Sequence, residues 1–242
     1  MVLKRDLRNF FRFSYWIAVL MVSYLIDLLI MASTLSNIIV GLDYLKFFGP
    51  GITLVSAFSS AFLVGRKIHM EKEEQFDYYL LSLPLKRLDF ILGRAIAGAI
   101  QGLIYSLPLL ITTFIIVRIP NPIEICLIVI FIFIFSLAMT CLAMIIATIL
   151  RGSRNFTLAR SIIYLWLMFG STIFYPLDII SVYFPPIAII ILQINPMSFA
   201  VNFFRSILFQ TYISPFDVIG VVIFMIMMIF LGIYAYDRST NK

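Results

Sequence analysis

The chain has 242 residues, of which 62% are hydrophobic and only 12% are charged, and its mean hydropathy is +1.07. A soluble globular surface does not tolerate such a composition, so these values exclude a soluble protein and predict an all-α integral membrane protein. The net charge is +6, and in a membrane protein a basic excess reports the orientation of the loops rather than nucleic-acid binding, which we exclude.

Apolar runs near the length that a helix needs to cross the hydrocarbon core predict the transmembrane segments. They are residues 13–42, which Asp27 interrupts, and residues 47–65, 95–117, 125–150, 161–177 and 218–236. Residues 179–204 are also apolar, but two proline-containing sites, Pro185-Pro186 and Asn195-Pro196, divide them into pieces too short to cross. We therefore predict six spans in a single transmembrane domain over residues 1–242.

The basic residues predict which side of the membrane each loop occupies. With six spans both termini share a side, and 15 of the 18 Lys and Arg residues then fall on that side. The positive-inside rule places both termini in the cytoplasm, as expected of a multi-pass protein of the plasma membrane. Residues 1–13 alternate apolar and basic side chains with helical spacing, which predicts an interfacial helix lying in the headgroup plane.

The largest cytoplasmic loop, residues 66–94, holds five of the 12 acidic residues. Its central part predicts a short amphipathic helix with an apolar stripe that includes Phe76, Tyr79 and Leu83, and Pro84 turns the chain after it. An acidic amphipathic helix of this kind suits docking onto a soluble partner. A solvated helix packed on its own bundle is the alternative, and the pattern favours neither.

Two further features are not explained by crossing a membrane alone. Non-spanning backbone at membrane depth must be buried in protein or line a wet cavity. Residues 178–216 therefore predict outer re-entrant half-helices that cap a translocation path. The alternative is an interfacial hairpin without substrate contact.

Asp27 is an ionisable group inside a span and is therefore a candidate for lining the path, although exposure at the outer interface explains it equally well.

A face of small residues marks the predicted third span, residues 95–117. It contains Gly98 and Gly102 with Ala95 and Ala99 beside them. Small residues let helix backbones approach closely. This face predicts tight helix packing, with packing inside the chain favoured over a dimer seam.

Catalytic and metal-binding motifs are missing from the sequence. There is no phosphate loop G-x-x-x-x-G-K-[ST], no H-E-x-x-H and no G-x-S-x-G, so we expect no catalytic residue, metal or cofactor on this chain. Transport driven by ATP would need a separate ATP-hydrolysing chain. An ion-coupled secondary transporter or channel without such a partner is the alternative, although that class is expected to bury more polar groups than Asp27.

Two stretches resemble the membrane subunits of ABC-2 type transporters, which belong to the ATP-binding cassette class. Residues 73–85, EEQFDYYLLSLPL, followed by residues 91–94, ILGR, resemble the coupling-helix region of that family, with Gln75-Phe76 where Gly-Thr is usual. Residues 195–205, NPMSFAVNFFR, resemble the N-P-L-x-x-x-V…R motif that follows the outer half-helices. Together with the predicted topology, the order and spacing of these motifs extend the resemblance over essentially the whole chain.

The resemblance implies a permease subunit that forms a homo- or heterodimer, binds two ATPase subunits that carry ATP and Mg²⁺, and works in export. It implies that residues 73–84 form the coupling helix, whose contacts with the ATPase subunit would come from Glu73, Glu74, Asp77, Tyr78, Leu81 and Pro84. The candidates for the translocation path are Asp27, Asn195, Pro196 and Arg205.

Overall fold

The computed structural model describes residues 2–12, 14–38, 43–74, 87–177, 181–182 and 184–240, and these residues form helices and turns without a β-strand. In chain order, the elements are α1 (Val2–Arg12), α2 (Ser14–Ile26), a π-helical turn (Asp27–Met31), α3 (Ala32–Ile38), α4 (Tyr44–Glu73), α5 (Arg87–Val117), α6 (Pro122–Ile149), α7 (Ser153–Phe169), α8 (Pro186–Ile194), α9 (Pro196–Phe209) and α10 (Pro215–Thr240). The predicted all-α architecture is confirmed for this part of the chain.

Four helices, α4, α5, α6 and α10, are long and apolar enough to cross a membrane. Helices α8 and α9 pass the same test only as a pair and are bent by 74° relative to each other. By length and composition the described helices therefore supply four or five crossing segments, and the predicted count of six is not confirmed. The two other predicted spans correspond to α2 with α3, and to α7, which has 17 residues.

The helix of the fifth predicted span lies earlier in the chain than residues 161–177. Helix α7 begins at Ser153 and ends at Phe169, and residues 171–176 form turns. The prediction was wrong here because the span was taken to begin only after Arg160, at the start of the charge-free run, whereas long basic side chains at a helix end, such as those of Arg154 and Arg160, can reach the polar surface. Hydropathy also cannot distinguish an apolar turn from an apolar helix.

The helices on either side of residues 66–94 extend into that predicted loop. Helix α4 continues to Glu73 and α5 begins at Arg87. Residues 75–86, which hold most of the predicted coupling helix, lie outside the described residues. We call the end of the bundle that holds α1, the C-terminus of α4 and the N-terminus of α5 the basic end. The amphipathic helix predicted for residues 1–13 is present there as α1 and packs against α5.

The core of the bundle is built around α4. In its most apolar stretch 83% of the residues are buried, and the helix packs against α5, α6, α7 and α9. Close packing between α5 and α6 depends on small residues. Gly98 lies against Thr140, and a Cβ at Gly102 would be 2.6 Å from the Oγ atom of Ser136. The prediction that Gly98 and Gly102 pack inside the chain is therefore confirmed.

Candidate functional site

Charged side chains at the basic end join three helices, α1, α4 and α5, into one ion-pair network. In α1, the carboxylate of Asp6 accepts hydrogen bonds from Arg5, at 2.9 and 3.0 Å, and from the Nζ atom of Lys67 in α4, at 2.9 Å. Arg5 also pairs with Glu71 of α4 at 3.5 Å, and Glu71 pairs with Arg94 of α5. The network therefore contacts both helices that flank residues 75–86.

The network ends on the last helix of the bundle. An Nη atom of Arg94 donates to the hydroxyl of Tyr236 in α10 at 3.0 Å, and the guanidinium lies 4.6 Å from the centre of the Phe90 ring. The Arg94 side chain is only 1% exposed. A charge at this depth is tolerated only when it is paired and hydrogen-bonded. The Glu71–Arg94 pair therefore holds the start of α5 against the end of α4.

The two acids that begin the predicted ATPase contact have different surroundings. The carboxylate of Glu73 accepts a hydrogen bond from the Ser153 hydroxyl at 2.7 Å, which ties the end of α4 to the start of α7. Glu74 is the C-terminal cap of α4 and its side chain is exposed. Both side chains are exposed, and among the described residues only Glu73 has a side-chain contact of this kind that fixes it to another helix. The other predicted contact residues lie outside the described residues: Asp77, Tyr78, Leu81 and Pro84.

At the opposite end of the bundle, Asn195 joins the end of α7 to the start of α9. Its Nδ2 atom donates to the carbonyl oxygens of Trp166, at 2.9 Å, and Gly170, at 2.7 Å, which belong to the C-terminal turn of α7. Its Oδ1 atom accepts from the amide of Met197 at 2.9 Å and so caps α9, whose first residue is Pro196. One buried side chain therefore satisfies backbone groups that the two helix ends leave without partners.

Arg205 braces the turn that follows α7. Its Nη atoms donate to the carbonyl oxygens of Thr172, at 2.8 Å, and Ile173, at 3.1 Å. Nε and Nη2 donate to the carbonyl oxygen of Phe47 at 3.1 and 3.0 Å, and the guanidinium lies 3.6 Å from the centre of the Phe47 ring. The guanidinium therefore donates to three backbone carbonyls, and in this structure Asn195 and Arg205 hold the turn that follows α7 rather than presenting free polar groups.

Asp27 lies in a polar patch formed by α2, the π-helical turn, α4 and α7. Its side chain is exposed, whereas Leu28 beside it is buried. The Tyr24 hydroxyl donates to the Ser59 hydroxyl at 2.6 Å, and Tyr164 of α7 is within hydrogen-bonding range of both. Asp27 is close enough to the two tyrosines to interact electrostatically. We call Tyr24, Asp27, Ser59 and Tyr164 the polar patch.

Sequence reasoning did not single out Glu71, Arg94, or the partners of Asp27 in the polar patch. Serine and tyrosine are ordinary residues in apolar helices, so only their proximity makes them notable. Arg94 carried two signals in the sequence: it ends the ILGR stretch, residues 91–94, that follows the coupling-helix motif, and it is a basic residue directly before an apolar run, which is typical of any cytoplasmic helix end. Within the described ranges, no three His, Cys, Asp or Glu side chains gather as a metal site would require.

The helices and the two braced ends define an integral membrane protein built as a multi-pass helix bundle. A family model described as ABC-2 type transporter matches residues 1–209, and the chain belongs to this family. It is therefore a permease component of an ABC transporter, a transport subunit of a typically non-catalytic kind, and the family implies an ABC ATPase as its partner. No curated protein matches the chain.

Proposed function

We propose that this permease exports its substrate across the plasma membrane. In this proposal two copies, identical or related, form the translocation path, each with six spans and both termini in the cytoplasm. A separate ATPase chain docks on residues 73–84 and drives transport. The family assignment supports the transport role, and the contacts described above support the coupling and the dimer.

The observation that carries the coupling proposal is the Glu71–Arg94 ion pair. Residues 75–86 leave α4 directly after Glu74 and return at the start of α5, between the two partners of the pair. A force applied to that segment therefore reaches α4 and α5 together, and the Arg94–Tyr236 hydrogen bond extends the connection to α10. A rigid connection of this kind is what a docking helix needs in order to move spans rather than loops.

The polar patch supports the dimer proposal. An exposed carboxylate on an apolar surface is costly when it faces lipid. Ile30, one turn further along the same face, is 63% exposed and Leu29 is 50% exposed, so exposed apolar side chains border the polar patch. A second copy that packs against this face would remove Asp27 from lipid and could leave a hydrated path between the two chains.

The test is to purify the chain from its native membrane in mild detergent and to identify co-purifying chains while ATP hydrolysis is measured. The proposal expects a stoichiometric partner that carries a phosphate loop, and expects ATPase activity that responds to the presence of this chain. Transport measured after reconstitution into vesicles then shows whether ATP or an ion gradient supplies the energy. Transport that requires ATP supports the proposal, whereas transport driven by an ion gradient in the absence of the ATPase chain would overturn it.

A further inference from the structure

A cavity of about 790 Å³ opens at the basic end of the bundle, away from the polar patch and from the turn that follows α7. It lies between the end of α4, the connection from α6 to α7, and the end of α10. The helices that surround it change there from apolar to charged residues. The cavity therefore lies where the hydrocarbon core of a membrane would give way to the headgroups.

The polar wall of the cavity is basic. Three of its lining residues are Lys72, Arg151 and Arg238, and its one lining acid, Glu73, is held by Ser153. The Nζ atom of Lys72 donates to the carbonyl oxygen of Thr148 at 2.8 Å. The side chains of Arg151 and Arg238 are exposed, and no hydrogen bond or ion pair joins their guanidinium groups to another part of the chain that the structure describes.

The other wall of the cavity is apolar and continues along α10. Ile149 and Tyr234, which line the cavity, are 67% and 54% exposed. From Tyr234 an exposed strip follows one face of α10 through Phe230, 69% exposed, and Met227, 45% exposed. Residues three and four apart share a helix face. The strip therefore leads from the basic cavity towards the middle of the membrane.

We infer that this cavity binds the phosphate-bearing headgroup of an anionic phospholipid, with an acyl chain along the strip on α10. The guanidinium groups of Arg151 and Arg238 match a phosphate, because their planar forks donate paired hydrogen bonds to its oxygens. Basic pockets between transmembrane helices at the cytoplasmic face are suited to anionic headgroups. An acidic peptide would fit the charge of the cavity, but it would not follow an apolar strip into the hydrocarbon.

The inference depends on the cytoplasmic orientation of the basic end and does not depend on export or on the ATPase partner. The experiment is native mass spectrometry of the full chain purified in detergent, titrated with dioleoylphosphatidylglycerol or dioleoylphosphatidylcholine. We compare the wild type, a variant carrying both Arg151→Gln and Arg238→Gln, and the matched control Arg154→Gln. Arg154 is exposed in the first turn of α7 and does not line the cavity.

We expect the wild type and the control to bind phosphatidylglycerol more tightly than phosphatidylcholine. Each basic side chain near an anionic lipid contributes roughly a fivefold gain in affinity, so loss of both arginines should weaken phosphatidylglycerol binding by about 30-fold. A variant carrying Arg151→Lys and Arg238→Lys keeps the charge but loses the paired hydrogen bonds, so we expect its affinity for phosphatidylglycerol to lie between those of the wild type and the glutamine variant. If the glutamine variant is unstable, this second variant decides the test, because an affinity for phosphatidylglycerol equal to that of the wild type would contradict the inference.

Three results would overturn the inference. The first is an equal affinity of the wild type and the glutamine variant for phosphatidylglycerol. The second is displacement of the lipid by millimolar inorganic phosphate, which would identify a site for the free anion. The third is loss of the ATPase chain from the purified complex of the glutamine variant with lipid affinity unchanged, which would identify a protein-docking surface. None of these results bears on the permease assignment.

Discussion

Glu71 and Arg94 form a partly buried ion pair across the two ends of residues 75–86, although 23 residues of chain separate them. Glu71 lies in the last turn of α4 and Arg94 lies in the second turn of α5. The pair therefore holds the last turn of α4 against the second turn of α5, where residues 75–86 leave and rejoin the bundle. The segment expected to meet the ATPase thus begins and ends on one rigid unit.

Removing one partner of this pair should destabilise the protein strongly. We expect Arg94→Met or Glu71→Gln alone to cost about 3 kcal/mol, because each removes the Glu71–Arg94 charge pairing from a site where the Arg94 side chain is only 1% exposed. The double variant should cost less than the sum of the two single variants. Thermal unfolding in detergent measures this, with Lys46→Ala as the control because Lys46 pairs with Asp43 at the exposed surface. Additive effects would show that the two side chains act independently.

Glu73 and Glu74 should respond differently to charge reversal. We expect Glu74→Lys to reduce the co-purified ATPase chain several-fold without changing the unfolding temperature, because its side chain is exposed. Glu73→Lys should also lower the unfolding temperature, because it removes the contact with Ser153 and puts a cation at the N-terminus of α7. Asp43→Lys, at the other end of α4, is the control for recovery of the ATPase chain alone, because it removes the N-cap of α4 and should itself lower the unfolding temperature. Unchanged recovery of the ATPase chain with Glu74→Lys would contradict the docking proposal.

Replacement of Arg205 by lysine should destabilise the turn that follows α7 even though the charge is kept. A lysine cannot reproduce the paired hydrogen bonds to the carbonyl oxygens of Thr172, Ile173 and Phe47. We expect a loss of about 3 kcal/mol and faster protease cleavage between residues 170 and 177. Arg154→Lys, at an exposed position, should have no such effect. Equal cleavage rates in the two variants would show that Arg205 does not hold this turn.

The environment of Asp27 can be tested by chemical labelling. In a Cys126→Ser background, Asp27→Cys should react with a water-soluble maleimide at least about tenfold faster than Ile223→Cys, because only a hydrated thiol ionises and reacts. Ile223 is 59% exposed on α10 and serves as the lipid-facing control, and the native Cys141 is buried. Similar rates at the two positions would argue against a hydrated path beside α2 and α7.

The packing of α5 on α6 should not tolerate a larger residue at Gly102. Gly102→Ala would bring its Cβ atom to 2.6 Å from the Oγ atom of Ser136, so we expect a loss of about 1–3 kcal/mol. Adding Ser136→Gly should recover part of that loss, because it removes the atoms that collide. Failure of the second substitution to recover any stability would place the close contact elsewhere.

The sequence by itself determined the class of the molecule and its family. The membrane class follows from composition, which is a sum over residues and needs no contacts. Asn195 and Arg205 could be singled out because residues 195–205 resemble a motif of the family, although the resemblance did not indicate which backbone groups they would contact. The close packing of Gly98 and Gly102 could also be predicted, since their spacing alone places both on one helix face.

Only the tertiary structure decided what the polar groups do. Arg94 meets Tyr236 across 142 residues of chain, and Arg205 meets Phe47 across 158. No local pattern encodes such pairings, because they depend on which helices pack together. The same reason explains why the end of α7 was misplaced and why Glu73 could not be distinguished from Glu74 along the chain. Hydropathy measures how each residue partitions into the membrane, whereas the partner of a buried charge is set by the arrangement of the helices.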